Sequence, residues 1–336
     1  MRALVYRGPH TLQLEDVAAP LTAPGEVVVQ VAAAGVCGTD HHIVAGELEV
    51  PLGTIPGHEI AGRVVECGPG VTSWKLGDRV VTWGQAACGR CAACETGHAN
   101  RCARATVLGM GRPGGFAELV ALPSAGLVAL PESVEDAVGA IATDAIATPF
   151  HALTSVGELR AGEGLIVIGA GGLGVHAVLI ARALGAGRIV VVDPSPAARE
   201  AALAAGADAA LDPAAEEDPR HALSKLARGA TLALECVGRA DSVELALAAL
   251  APGGRLVVVG VGGDRPRLPP LARFVATELC VRGAFGSTLP EIRTVIELIA
   301  ARRIDTSRSI ARRLPLAEGP RVFAEPPAAA RTVLTP

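Results

Sequence analysis

Apolar positions follow two different patterns along the chain. Up to about residue 130, short runs rich in β-branched residues are bounded by glycine and proline, as at 26–36, 61–68 and 76–84. Runs of this kind are typical of strands in a β-rich domain. The sequence therefore predicts a β-rich domain in the first part of the chain.

From about residue 145 the pattern changes to continuous apolar strands that alternate with helices. The strand-like runs lie at 163–169, 187–193, 230–238 and 255–262. Strands that are apolar on both faces and alternate with helices of about 10–15 residues are typical of βαβ units on a parallel sheet. A further helix is predicted at 289–304.

These patterns predict an α/β protein with two domains. The first is β-rich, and the second, which begins at about residue 145, is built on a doubly wound parallel sheet. A chain of 336 residues is long enough for two separate cores.

Composition narrows the class of protein. Half of the residues are apolar and the formal net charge is only −4, with acids and bases scattered along the chain. This argues against nucleic-acid or membrane-surface partners, which favour a basic patch. Four of the eight cysteines lie within residues 88–102, which favours metal ligation in a reducing compartment over a disulfide scaffold.

The apolar stretch 165–181 approaches the length of a membrane span. Its four glycines within six residues, and the histidine inside it, fit a strand, a tight turn and a helix better. The first ten residues show no apolar segment of a secretory signal. We therefore expect a cytoplasmic protein.

A glycine-rich segment follows the first strand of the second domain. Gly169, Gly171 and Gly174 form a G-x-G-x-x-G motif, with Gly172 and Leu173 inside it, and Asp193 ends the next strand. This context is typical of a dinucleotide site, in which glycines admit the pyrophosphate and the acid binds the ribose hydroxyls. It favours NAD over NADP, although Arg199 weakens that preference. The alternative is an ordinary glycine-rich turn.

Four cysteines share one short segment and predict a structural zinc lobe. They are Cys88, Cys91, Cys94 and Cys102. Four thiolates at such spacings can surround one zinc ion and leave no position for a substrate. The alternatives are an iron–sulfur cluster and a pair of disulfides. His98 is interpreted as a loop residue.

A second group of potential zinc ligands is dispersed. Cys37, His58 and Glu59 lie on separate segments, and each also has an ordinary structural interpretation. Asp144 stands in the apolar run IATDAIATPF, where an unpaired carboxylate is costly. Such a residue is usually paired, neutralised or bound to a metal ion, and the alternative is the N-cap of a helix.

Taken together, the motifs resemble those of the zinc-dependent medium-chain alcohol dehydrogenases. The resemblance rests on Cys37-Gly-Thr39-Asp, Gly57-His58-Glu59, the four-cysteine lobe and the glycine-rich loop, and it extends nearly end to end. It implies a GroES-like catalytic domain, residues 1–144 and 285–336, with a structural zinc lobe at about 84–104. It also implies a Rossmann NAD-binding domain, residues 145–284.

The resemblance also implies a catalytic zinc held by Cys37, His58 and a third residue, with Glu59 as an intermittent fourth ligand. The third position, often a cysteine, is Asp144 here. In this the chain is similar to a subset of bacterial secondary-alcohol dehydrogenases.

Further roles follow from the same resemblance. Thr39 would contact the substrate oxygen and pass its proton, by way of the nicotinamide ribose, to His42, with His41 as the alternative outer residue. The remaining cofactor contacts would be Thr148 and Leu173 at the nicotinamide, Val259 and Val261 near its carboxamide, and Val237 and Arg239 near adenine.

The implied activity is zinc-dependent, NAD-linked interconversion of an alcohol, in particular a secondary one, and its carbonyl compound. The alternative enzyme is a zinc-containing reductase of C=C or C=N bonds, and Thr39 with His42 favours the alcohol. A nucleotide-binding protein without catalysis is a further alternative. Cys37, His58 and the cysteine lobe argue against a zinc-free, quinone-oxidoreductase-like protein.

Substrate and assembly are less defined. Trp83, His41 and Leu108 are candidate pocket residues, and a moderately sized aliphatic or cyclic secondary alcohol is expected. Relatives form homodimers or homotetramers through the last strands of the cofactor sheet, here around 255–262 and 279–286. The segment 318–336 is shorter and richer in proline than the usual final helix of the family.

Overall fold

The computed structural model describes residues 1–325 and 330–336. The chain divides into two compact units. Unit 1 is Met1–Ala147 with Ser287–Pro336, and unit 2 is Thr148–Gly286. The predicted domain boundaries, after residues 144 and 284, lie a few residues before these divisions.

The strands are numbered along the chain. They are β1 Arg2–Gly8, β2 Thr11–Asp16, β3 Glu26–Val36, β4 Glu59–Cys67, β5 Arg79–Thr82, β6 Gln85–Ala86, β7 Thr106–Val107, β8 Leu119–Pro123, β9 Leu127–Ala129, β10 Leu165–Ile168, β11 Ile189–Val192, β12 Ala209–Leu211, β13 Leu232–Glu235, β14 Arg255–Val258, β15 Cys280–Gly283, β16 Ile310–Pro315 and β17 Arg331–Thr335.

The α-helices are numbered in the same way. They are α1 Gly38–Ala45, α2 Ala92–Glu95, α3 Asp136–Ile141, α4 Ala147–His151, α5 Gly174–Ala183, α6 Pro196–Ala204, α7 Pro219–Leu226, α8 Ala240–Ala249, α9 Leu271–Ala276, α10 Leu289–Ala300 and α11 Gly319–Val322. Two π-helical segments, Ala142–Ile146 and Ala152–Val156, flank α4.

Unit 2 is built on a six-stranded parallel sheet with the order β12-β11-β10-β13-β14-β15. Every residue of β10 and β11 is buried, because helices cover both faces of such a sheet. This strand order is that of the Rossmann fold, whose ligands bind beyond the carboxyl ends of the strands. The prediction of a doubly wound parallel sheet is confirmed.

Unit 1 is built on a largely antiparallel sheet. In its described residues the strand order is β16-β17-β3-β4-β5-β9, with β8 also paired to β3. The long strand β3 combines valines with alanine and glycine and packs into a core that includes Phe116, Ile60 and Leu122. This is the GroES-like, β-rich domain that the sequence predicts.

The proline-rich C-terminal segment contributes a strand to unit 1. β17 pairs antiparallel with β3, with Thr332 opposite Val36, and parallel with β16. Residues 326–329 of this segment lie outside the described residues. The strand places Arg331 in the interior of unit 1, where it becomes part of a functional cluster.

The stretch 165–181 contains β10, the glycine-rich turn and most of α5. Within the described residues, no helix is both long and apolar enough to cross a bilayer. The sequence interpretation of this stretch as strand, turn and helix is confirmed.

Candidate metal centres and dinucleotide loop

The four cysteines of the predicted lobe converge on one point. Cys91 Sγ lies 3.5 Å from Cys94 Sγ and 3.8 Å from Cys102 Sγ, and Cys88 Sγ lies 4.0 Å from Cys94 Sγ. Four sulfurs about 2.3 Å from one tetrahedral zinc ion would be about 3.8 Å apart. The residues therefore fit a closed zinc site. All four thiols are free, which argues against the disulfide alternative.

Local hydrogen bonds favour the thiolate form of Cys88 in this lobe. The backbone N–H of Arg90, with smaller contributions from Cys102 and the other thiols, lowers the pKa of the Cys88 thiol to about 6. Arg104 Nη2 also donates to Cys88 Sγ at 3.2 Å. His98 precedes a short 3-10 turn and is not part of the cluster, as the sequence predicts.

A second cluster forms inside unit 1 from segments that are distant in sequence. Cys37 caps the N-terminus of α1, His58 directly precedes β4 and Glu59 begins it. Asp144 lies in the π-helical segment Ala142–Ile146. π-helical turns occur frequently at functional sites. Because Asp144 lies inside this helical segment, whose N-cap is Ile141, the interpretation of Asp144 as an N-cap is wrong.

The donor atoms of this cluster are close enough to share one ion. One ligand atom from each of Cys37, His58, Glu59 and Asp144 lies within 4.8 Å of every other. Asp144 Oδ2 is 3.3 Å from Cys37 Sγ and 3.7 Å from His58 Nε2. Tetrahedral zinc with sulfur, nitrogen and oxygen ligands would need about 3.3–3.5 Å. The residues fit such an ion.

The side chain of Glu59 is closely surrounded by other residues of unit 1. This side chain is fully buried, and among the described residues its carboxylate has an ion-pair contact with Arg331 but no hydrogen bond of good geometry. Gly35 lies opposite Glu59 in the β3–β4 register, and a Cβ on Gly35 would stand 1.9 Å from Glu59 Oε2. Only a glycine therefore leaves room for this carboxylate.

Arg331 is a functional candidate that the sequence analysis missed. Its Nη2 lies 2.8 Å from Glu59 Oε1, 3.3 Å from Asp144 Oδ2 and 3.6 Å from Cys37 Sγ. It is the cation that meets three potential ligands in the interior of unit 1. A single arginine within the apolar strand segment ARTVLTP was the available signal.

Asp40 is a second missed residue. It is fully buried, accepts hydrogen bonds from the backbone N–H groups of Cys37 and Gly57, and has Oδ1 3.7 Å from His58 Nδ1. A carboxylate on the far side of a ligating imidazole orients the ring and fixes its tautomer. Asp40 thus links two of the candidate ligands.

Burial and neighbouring charges shift the pKa values of Glu59 and His58. Burial, reinforced by Asp144, raises the pKa of Glu59 to about 8, although Arg331 opposes this. Burial lowers the pKa of His58, but Asp40, Asp144 and Cys37 outweigh it and raise the pKa well above its usual range. A divalent cation bound at this point would relieve the repulsion among the acids.

The predicted relay residues lie on α1. Thr39 Oγ1 is 3.9 Å from Cys37 Sγ, next to the cluster. His42 is exposed, and its Nδ1 lies 2.5 Å from Glu47 Oε2. His41 instead packs on Phe323, with ring centroids 4.9 Å apart, and burial lowers its pKa. His42 is therefore the better outer residue of a relay.

The glycine-rich loop of unit 2 has the geometry of an anion cradle. Gly169 has a φ of +87°, and a Cβ on Gly174 would stand 1.8 Å from the Gly169 carbonyl oxygen. A Cβ on Gly171 would meet nothing within 4 Å, so its backbone faces open space at the start of α5. Such a helix N-terminus attracts phosphate groups.

The predicted acid lies against this loop. The Asp193 carboxylate accepts hydrogen bonds from the backbone N–H groups of Ala170 and Ser195, both at 2.8 Å. These bonds fix the carboxylate beside the open space above the loop. Gly172 and Leu173 complete the turn into α5 and are partly exposed.

The other predicted cofactor residues lie on two loops of unit 2 and on α4. Val237 and Arg239 follow β13, Val259 and Val261 follow β14, and Thr148 lies on α4. Glu235, which the sequence analysis missed, joins the two loops. Its Oε1 accepts from the N–H groups of Val237 and Gly238, and its carbonyl oxygen accepts from Val259.

The candidate pocket residues differ in accessibility. Leu108 lies in the hydrophobic core of unit 1, and Trp83 is buried with its Nε1 donating to the Ser287 carbonyl at 2.9 Å. His41 remains partly exposed. Leu108 therefore offers no free surface to a substrate in unit 1.

Known protein families match both units. The family "Alcohol dehydrogenase GroES-like domain" matches residues 23–132, and the family "Zinc-binding dehydrogenase" matches residues 172–301. An L-threonine 3-dehydrogenase from Streptomyces coelicolor is 36% identical over 301 residues, which are 87% of this chain and 86% of that protein.

Solved structures extend the likeness to the whole chain. An alcohol dehydrogenase from Thermus sp. ATN1 is 33% identical, with a TM-score of 0.92 over 100% of this chain and 99% of that one. A Sinorhizobium meliloti protein described as a zinc-binding dehydrogenase, bound to NADP, is 29% identical, with the same TM-score and coverage. The chain belongs to the zinc-dependent medium-chain alcohol dehydrogenase family.

Proposed function

We propose that the protein is an NAD-linked zinc dehydrogenase that interconverts a secondary alcohol and its ketone. The observation that carries this proposal is the buried cluster of Cys37, His58, Glu59 and Asp144, whose ligand atoms lie within 4.8 Å of one another. The hydroxyl of Thr39 lies beside it, as proton transfer from an alcohol requires.

Cys37, His58 and Asp144 hold the catalytic zinc in this proposal, and Glu59 is an exchangeable fourth ligand. Asp144 carries the same formal charge as the cysteine found at this position in other members. Because Glu59 also meets Arg331 at 2.8 Å, it has an alternative partner when it leaves the metal. The four-cysteine lobe holds the second zinc and leaves no open position for chemistry.

Zinc at such a site supplies Lewis-acid chemistry that favours the alkoxide form of an alcohol. The residues of this chain then handle the proton. Thr39 Oγ1 would accept this proton while its own hydroxyl proton passes on towards His42, which is exposed and would release a proton to solvent. Asp40 keeps the His58 ring oriented, and the buried surroundings of Glu59 limit the access of water.

Unit 2 binds NAD through the glycine-rich loop and Asp193 in this proposal. The open space at Gly171 accepts the pyrophosphate, and the fixed Asp193 carboxylate accepts the ribose hydroxyls. Thr148 and Leu173 contact the nicotinamide, Val259 and Val261 its carboxamide, and Val237 and Arg239 the adenine.

The substrate class follows from the named relatives. L-threonine, the substrate in the name of the Streptomyces coelicolor relative, carries its hydroxyl on a secondary carbon. We therefore propose secondary alcohols, including β-hydroxy amino acids and unbranched or cyclic alcohols, as the first compounds to test.

The test is a panel of NAD-reduction assays with L-threonine, 2-butanol, 2,3-butanediol and cyclohexanol, beside NADH oxidation with the matching ketones and with α,β-unsaturated ketones. Products of the unsaturated ketones are identified by mass spectrometry. Turnover of an alcohol that is abolished in Cys37→Ser and at least about tenfold slower in Thr39→Val supports the proposal. Reduction of only the C=C bond, insensitive to Thr39→Val, contradicts it and favours the alternative reductase.

We further propose that the protein forms a homodimer or homotetramer through unit 2. Strand β15 is one edge of the parallel sheet, and its Val281 is 40% exposed. Unpaired sheet edges readily add another strand. Light scattering of the parent protein and of Val281→Lys tests this: a monomeric parent contradicts it.

A further inference from the structure

Arg199 lies close to the point where NAD and NADP differ. It is on α6, six residues after Asp193, and an arginine near this acid commonly accommodates a 2′-phosphate. Here its Nη1 already lies 2.8 Å from the carbonyl oxygen of Asp193 and 2.9 Å from that of Pro194. The same atom lies 3.0 Å from Oδ2 of Asp212.

Asp212 is placed by the sheet itself. Val192 of β11 pairs with Leu211 of β12, and the N–H of Asp193 donates to the Leu211 carbonyl at 3.1 Å. Asp193 and Asp212 therefore follow paired strand ends at the same edge of the sheet. Oδ1 of Asp212 accepts the N–H of Ala214 at 3.0 Å, which leaves Oδ2 directed to Arg199.

The two acids have separate partners. Both carboxylate oxygens of Asp193 accept backbone N–H groups, and Arg199 meets Asp193 only at its carbonyl oxygen among the described contacts. Asp212 supplies the carboxylate of the ion pair with Arg199, whose side chain is 20% exposed. With two carboxylates and one guanidinium, the group formed by Asp193, Asp212 and Arg199 carries a net negative charge.

We propose that Asp212 is a specificity-determining residue that excludes NADP. It holds Arg199 against the sheet edge, where the guanidinium is occupied, and adds a second negative charge beside Asp193. A 2′-phosphate that enters beside these residues is repelled by both carboxylates, and the guanidinium of Arg199 is not free to bind it. The inference rests on the proposed binding of NAD by unit 2 and names the residue that selects between the two dinucleotides.

The experiment measures the dissociation constants of NADH and NADPH by fluorescence titration of the purified holoenzyme. The variants are Asp212→Asn, Arg199→Ala and the double variant, with Glu216→Gln as control. Asn keeps the oxygen that accepts from Ala214, and Glu216 is an exposed acid of the same segment. The quantity compared is the ratio of the NADPH constant to the NADH constant.

We expect Asp212→Asn to lower this ratio about three- to tenfold, mainly through tighter NADPH binding. A change of this size is typical of the interaction of one partly exposed charge. Arg199→Ala alone should keep the ratio at or above that of the parent, because both carboxylates then repel the phosphate without a neighbouring guanidinium. The double variant should also return toward the parent, because no guanidinium is then available to the phosphate.

Three results overturn the inference. One is an unchanged ratio in Asp212→Asn while NADH still binds, and another is an equal change in Glu216→Gln, which reports only net charge. The third is a double variant that behaves like Asp212→Asn, because the released group is then not Arg199. Failure of the parent to bind either dinucleotide would instead contradict the proposed function, and the inference with it.

Discussion

The guanidinium of Arg331 lies 2.8 Å from the carboxylate of Glu59, and both side chains are buried in unit 1. The two residues are far apart in sequence, and the pairing of both β17 and β4 with β3 brings them together. A buried carboxylate and guanidinium stabilise a fold only as a pair, since either one alone leaves an uncompensated charge.

Arg331→Met should therefore lower the free energy of unfolding by about 3–5 kcal/mol. Arg313→Met is the matched control, because Arg313 pairs with Glu135 at 2.8 Å with side chains that are 50% and 58% exposed. Exposed pairs contribute about 1 kcal/mol or less. Urea unfolding of both variants checks this. Equal losses of unfolding free energy would show that the buried pair stabilises the fold no more than the exposed pair does.

Gly35→Ala should displace the Glu59 carboxylate, because the new Cβ would stand 1.9 Å from Oε2. We expect a loss of about 1–3 kcal/mol in unfolding free energy and a lower kcat/KM. Gly38→Ala is the control, since a Cβ there meets nothing within 4 Å. If Gly35→Ala were as stable and active as Gly38→Ala, the tight fit of Glu59 would be irrelevant.

Cys94→Ser should remove the metal of the cysteine lobe and leave the Asp144 cluster loaded. Elemental analysis should show one zinc ion fewer per chain, and limited proteolysis should cut the segment 84–104 faster. Cys67→Ser, outside both clusters, is the control. An unchanged zinc content in Cys94→Ser would mean that three thiols suffice.

Stability should also depend on pH through Glu163 in unit 2. Burial would raise the pKa of this carboxyl, but hydrogen bonds from Thr231, the Arg160 N–H and Arg255 outweigh it and hold the pKa below its usual value. The folded state thus binds this proton more weakly than the unfolded state does. The stabilisation is present at neutral pH and is lost as pH falls through the lowered pKa.

Unfolding free energies of the parent and Glu163→Gln, measured in urea from about pH 7 to about pH 3, test this sign. We expect a difference of about 1–2 kcal/mol at neutral pH that shrinks in acid. A difference that stays constant, or grows as the pH falls, would contradict the assignment.

The strands and the parallel sheet were predictable because their signal is local. β-branched runs such as those of β10 and β11 bury both faces, and the glycine motif follows β10 directly. The four cysteines were equally visible, since all lie within one short segment. In both cases neighbours in sequence carry the information.

The catalytic cluster was only partly predictable because its members meet through long-range pairing. Arg331 reaches Glu59 through strand β17, for which the segment 318–336 gave little sign. Asp40 stood in a motif attributed to its neighbours Cys37 and Thr39, and its role depends on the ring of His58. The π-helical geometry around Asp144 has no simple local pattern.

The most direct test of the account is the zinc content of freshly purified protein beside Asp144→Ala and Asp144→Cys. We predict two zinc ions per chain in the parent, one for each cluster, and one in Asp144→Ala with activity lost. Asp144→Cys should retain two, because a thiolate is an accepted zinc ligand at such a site. Two zinc ions in Asp144→Ala would show that Asp144 is not needed to hold the metal, and one in the parent would contradict the catalytic zinc itself.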